Sequence, residues 1–213
     1  MKNINSPYSA SFTAATMAFY ETQAALPYLL EDDSAITIKR LREDAEILKI
    51  QSFKSRQKVV GEIVKRYHSV PKDFWMRFIS LPENEQRIAL FYVLLKTYRL
   101  VFDFQINVVL EKYQSANPIL SKDELLMELS EISGRDEFVD SWSENTKEKL
   151  VTHFMTMLRQ AGLLTERTNE IKRSELTKEA YVYYSQIGEV WFLQACLLPL
   201  YEIENIKNWH NDC

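Results

Sequence analysis

The sequence predicts a mainly α-helical protein, and three observations carry that expectation. Only 4 of the 213 residues are Gly, while 46% are hydrophobic and 12% aromatic, a balance that suits packed helices joined by short turns. Residues 86–113, QRIALFYVLLKTYRLVFDFQINVVLEKY, hold neither Gly nor Pro, and Ile88 to Leu95 is apolar on every side, as in a helix surrounded by other helices. Ser-x-x-Glu spacings at Ser80, Ser121 and Ser141 stand ahead of apolar runs, each a capping-box start signal.

In chain order, a polar lead containing Pro7 runs into a helix over 14–30, with Met17, Tyr20, Ala24 and Tyr28 at helical spacing, Thr13 as N-cap, and Pro27 to kink or end it. A second helix, 35–49, carries the apolar stripe Ile38, Leu41, Ala45 and Leu48. Ser52 opens a third, 52–67. At about 100° per residue this one sorts Phe53, Val60, Ile63, Val64 and Tyr67 to one side and Lys54, Lys58, Gly61 and Lys65 to the other. The pair 35–49 and 52–67 is helix-turn-helix-like. Val70-Pro71 closes it, a short helix follows over 74–79, and the long central helix runs until Asn117-Pro118. A domain boundary is expected there, between an N-terminal helical bundle (1–117) and a C-terminal domain (118–213).

The C-terminal part has helices over 121–132 and from Ser141 to about Ala161. The latter turns Leu150, Val151, Phe154, Met157, Leu158 and Ala161 one way and Asn145, Lys149, Thr152, His153, Thr156 and Gln160 the other. Gly162 stops it. Two β-prone runs, Leu163–Thr165 and Ile171–Arg173, flank a polar tip at Thr168-Asn169, and Thr177 caps a further helix. Helices followed by a small β-hairpin and another helix make a winged-helix-like order. The tail Val190–Tyr201 is too short to span a membrane and is expected to pack back on the core.

Net charge is −4, but it is unevenly spread. Residues 39–66 hold nine Lys or Arg against four acids, residues 147–178 seven against four, and residues 121–144 two against eight. Local patches rather than the total decide where a polyanion binds, so double-stranded DNA is the expected partner. The candidate DNA-binding residues are Lys54, Lys58, Gly61 and Lys65 on one surface, and Asn145, Lys149, Thr152, His153, Thr156, Arg159, Lys172 and Arg173 on the C-terminal helix and wing. Gly61 costs a helix about 1 kcal/mol relative to Ala; close approach of a phosphate backbone accounts for it, and so does packing against a neighbouring helix. A rival reading is a protein adaptor that docks through the acidic helix 121–132 and the aromatics Trp142 and Trp209.

Lys96, Arg99 and Asp103 interrupt the central apolar run too early for a membrane span, and the N-terminus lacks a signal-peptide apolar region. Cys196 and Cys213 make no disulfide framework and fit a reducing cytoplasm. His68, His153 and His210 lie far apart, away from Cys or paired acids, so no zinc site or other cofactor is expected. Phosphate-loop, dinucleotide and nucleophile-elbow motifs are absent from the sequence. No catalytic residues are assigned, and a non-enzymatic protein is expected.

The opening Tyr8-Ser9-Ala10-Ser11-Phe12-Thr13, the basic helical pair after it and the late Leu158-Arg159-Gln160-Ala161-Gly162-Leu163-Leu164 resemble the BrxA family of bacterial BREX phage-defence systems. Relatives often carry glycine after the Phe-Thr pair, where this chain has Ala14 and Ala15. The resemblance implies a small cytoplasmic accessory protein that binds double-stranded DNA without catalysing a reaction, with other BREX proteins as further partners.

Overall fold

The long apolar stretch does not form one helix. Tyr98 is extended, with φ −125° and ψ 109°, and separates Glu83–Thr97 from the helical run that begins at Arg99. Its ring meets Phe12 edge-on at 5.7 Å and its hydroxyl is held by Arg66 and Glu62, so tertiary contacts override local helical preference. The computed structural model describes residues 5–174 and 176–209, the backbone alone at Trp209; the His210 and Cys213 positions and the Trp209 side chain invoked above lie outside the described residues. Two compact units divide beside Tyr98: Pro7–Arg99, and a second from Leu100 onward that takes in Ser6. The division therefore falls earlier in the chain than 117/118.

In the Pro7–Arg99 unit a 3-10 turn over Ser11–Ala14 leads to α1 (Phe19–Glu31). Thr13 caps no helix, because its hydroxyl donates to Ala10 O within the turn at 2.9 Å. Ala18, left-handed at φ 49°, stands at the N-cap, and Pro27 sits inside α1 rather than ending it. The helix expected over 35–49 is two, α2 (Ala35–Glu43) and α3 (Ala45–Leu48), because extended Asp44 breaks it and caps the Glu46 N–H at 2.9 Å. Then come α4 (Phe53–Tyr67), N-capped by Ser52, α5 (Lys72–Phe78) and α6 (Glu83–Thr97). Ser80 does not cap α6; its hydroxyl donates to Arg77 O, and Pro82 holds the N-cap position. Every residue from Ile88 to Leu95 is buried, as the all-round apolar pattern predicts.

α7 (Arg99–Asp103), which enters the second unit at Leu100, continues there as a π-helix over Phe104–Leu110 and ends in α8 (Glu111–Gln114). Next is α9 (Lys122–Ser133), started by the full Ser121/Glu124 capping box, then α10 (Glu137–Asp140) and α11 (Glu144–Gln160). Ser143, not Ser141, caps α11, accepting from the Thr146 N–H. Gly162, at φ +76°, ends it, and Leu163 N–H reaches back to Leu158 O at 2.8 Å. Phe154 of α11 packs on Phe104, ring centroids 5.0 Å apart.

The expected hairpin is reduced to single antiparallel bridges, Leu164 to Ile171 and Ile119 to Glu170, with the Thr165 and Lys172 N–H groups bonded across to Glu170 O and Leu163 O. Asn169 takes the left-handed turn at its tip, φ 53°. The chain ends in α12 (Lys178–Gln186), α13 (Trp191–Ala195) and α14 (Leu200–Trp209). Phe192, Leu193, Ala195, Cys196, Leu197 and Leu198 are all buried. The tail thus packs back on its unit, and a helix follows Pro199 where the apolar pattern predicts none. Among the described residues no helix is long and apolar enough to cross a membrane.

Candidate nucleic-acid interface

The face of α4 is set by what its opposite side must bury. Val60, Ile63 and Tyr67 enter the core, and that orientation leaves Lys54, Lys58 and Lys65 exposed with Gly61 half-exposed beside them. A Cβ added at Gly61 would meet nothing within 4 Å. Packing against a neighbouring helix therefore does not account for the glycine. The Lys65 ammonium lies 4.5 Å from the centre of the Tyr98 ring, near enough for a cation–π contact that holds it along the helix surface.

Two arginines counted in the basic segment belong to the interior. Arg56, 4% exposed, donates to Arg42 O at 2.7 Å and Glu43 O at 3.0 Å, and also to Ile50 O and Gln51 O. A cation at the last carbonyls of α2 satisfies groups the helix leaves unpaired, so Arg56 fastens α4 to the end of α2. Arg66, fully buried, gives Nε to Tyr98 Oη at 3.0 Å and its two Nη groups to Met17 O and Thr16 O at 2.8 and 2.7 Å. Glu62 accepts from the hydroxyls of Tyr98 and Ser11. The Tyr8–Thr13 motif is thereby anchored to α4 through Ser11 and Phe12. Arg56 stands four and seven residues before Val60 and Ile63, a spacing on the apolar stripe that could have placed it inside. Phe53 errs the other way: grouped with the apolar face, it is 51% exposed, and its neighbour on the wheel, Gln57, is exposed too.

The second set of candidates is only partly gathered. Asn145, Lys149, Thr152 and His153 of α11 line a groove of about 400 Å3 with Lys122, Asp123 and Leu126 of α9. Burial first, and the Lys149 charge second, hold the His153 imidazole below its usual range, so it is neutral at pH 7. The Thr156 hydroxyl is turned back to Thr152 O. Arg159 donates to Asn169 Oδ1 at 2.7 Å, bracing the turn, and Arg173 grips Glu202 with both Nη groups, one at 2.7 Å. That pairing raises the Arg173 pKa and lowers that of Glu202. Lys172 is exposed. Among these cations, Lys149 and Lys172 are thus better placed than Arg159 and Arg173 to meet an external anion.

The fold and the exposed lysine row define a mainly helical protein with a cationic helix face. Its family is given by sequence: residues 6–187 match the BrxA family model, and the chain belongs to the BrxA family. It is 23% identical over 185 residues to the BREX protein BrxA of Bacillus cereus (strain H3081.97), spanning 85% of this chain and 92% of that one. A crystal structure of an uncharacterized protein from Magnetospirillum magneticum shares the fold, with a TM-score of 0.76 at 19% identity, over 90% of this chain and 98% of that chain.

Proposed function

We propose that this BrxA-family protein serves a BREX phage-defence system as a non-enzymatic accessory that binds double-stranded DNA, mainly through its phosphates, with other BREX proteins as further partners. The observation that carries the reading is the α4 face, where Lys54, Lys58 and Lys65 are exposed while the acid of that helix, Glu62, is engaged by Tyr98 and Ser11. Lysine is a point-charge partner for phosphate, whereas bidentate base reading belongs chiefly to Arg, Asn and Gln. The α2–α3–α4 arrangement acts as a helix-turn-helix-like unit stiffened by Arg56. The α9–α11 helices and the bridged 163–172 turn act as a minimal winged helix, with α11 toward the groove and Lys172 toward backbone.

The test is duplex retardation across a salt series. Neutralising about four phosphates gives a slope of log K on log salt near −3.6; no retardation at low salt removes the reading.

A second reading, the protein adaptor, is favoured by a groove of about 530 Å3 in which Lys112 and Arg135 pair with Glu124 and Glu128, while Glu111, Glu131 and Met127 also line it, with Met127 65% exposed. Trp142, counted toward this reading from the sequence, is half-buried and packs edge-on against Phe138. Salt-insensitive association with another BREX protein, together with no duplex retardation, selects the adaptor.

A further inference from the structure

We propose that the strip Phe53, Gln57 and Gly61 on α4 reads base edges in the major groove and gives this protein a preference for A·T pairs; the inference rests on the DNA-binding reading above and names what that surface recognises. Residues four apart on a helix are neighbours along one face, so the three form a continuous strip, and Lys54 and Lys58 each sit one residue further round. Phe53 is 51% exposed, Gln57 is exposed, and Gly61 is half-exposed. The Gln57 amide is paired with no other described residue.

The chemistry of the strip matches one kind of base pair. A glutamine amide can accept from N6–H and donate to N7 of adenine, and an apolar ring suits the C5 methyl of thymine. Gly61 presents bare backbone. Neither its φ nor a neighbour requires glycine there, and glycine weakens a helix relative to alanine; close approach of a partner to the backbone gives it a use. A helix of about 10–12 Å diameter fits the major groove, about 12 Å wide, and the lysine row alongside then meets the phosphates of one strand. Charge complementarity commits the face to a polyanionic duplex rather than to a neutral partner.

The experiment compares the affinities of the full-length protein for two duplexes of equal length, one all A·T and one all G·C, at one salt concentration, with helix content of each variant checked by circular dichroism. Wild type binds the A·T duplex about tenfold more tightly, the order of one good base contact. Gln57→Ala lowers that ratio to the smaller part contributed by the thymine methyl and leaves the affinity for the G·C duplex and the salt slope unchanged. Replacing thymine with uracil, which removes only the methyl, weakens wild type and has no effect on Phe53→Ala. Equal affinity of wild type for the two duplexes, or a ratio unchanged by Gln57→Ala, overturns the inference while leaving DNA binding in place. Failure of wild type to bind either duplex at low salt overturns the DNA-binding reading itself and this inference with it.

Discussion

Arg66 shows how one residue can hold a strained backbone. Thr16 and Ala18 are left-handed, at φ 45° and 49°, a conformation that costs an L-residue roughly 1–2 kcal/mol. It turns the Thr16 and Met17 carbonyls onto the buried guanidinium, and charge-assisted hydrogen bonds offset the strain. Ala18→Gly keeps the geometry without the Cβ conflict and should raise stability by about 1 kcal/mol in urea unfolding. Tyr98→Phe removes the hydroxyl that accepts from Arg66 and donates to Glu62, a donation that persists at neutral pH because burial pushes the phenol pKa up. It should cost about 1–3 kcal/mol, the range for leaving buried polar groups unmet. Gly61→Ala separates fold from function: the melting temperature should rise, corresponding to about 1 kcal/mol, while duplex affinity falls. A gain in stability with affinity unchanged would remove Gly61 from the interface.

Within α4 the lysines act together. Changing Lys54, Lys58 and Lys65 to Ala should weaken binding to unrelated duplexes by similar factors and flatten the salt slope by roughly 2–3 units. Unchanged affinity and slope, with folding intact, would leave α11 and its turn to carry DNA binding. In the second unit Glu202 holds Arg173 away from solvent anions, and Glu202→Gln frees the guanidinium. The salt slope should then steepen by about 0.9, one additional phosphate. His153 adds a pH dependence of definite sign. Its folded pKa lies below the usual 6.5, so the unfolded chain takes up the proton more readily. Its contribution to stability is constant above pH 6.5 and is lost as pH falls through and below that value, and His153→Asn should flatten this limb in pH-dependent denaturation.

For the whole molecule, a net charge of −4 conceals the distribution that matters. Screening at physiological salt confines the reach of the α4 lysines, and likewise that of the acids on α9, to about 8 Å. The BrxA match spans residues 6–187 and so takes in both. The net figure governs solubility; the patches govern partners.

Much of this was legible in the chain. Helical content follows from few breakers and periodic apolar residues, the Ser121 capping box and the left-handed Gly162 follow from local backbone needs, and the α4 lysine face follows from 3.6-residue periodicity. These are short-range effects, each settled within a turn or two of helix. What only the tertiary structure decided is where long-range partners outweigh them. Tyr98 leaves the helix to meet Phe12, Arg66 and Glu62; Arg56 goes inside because the end of α2 offers it unpaired carbonyls; Arg159 and Arg173 find Asn169 and Glu202. Periodicity assigns a residue to a face, but whether a charge on that face reaches solvent depends on which acceptors the fold brings beside it.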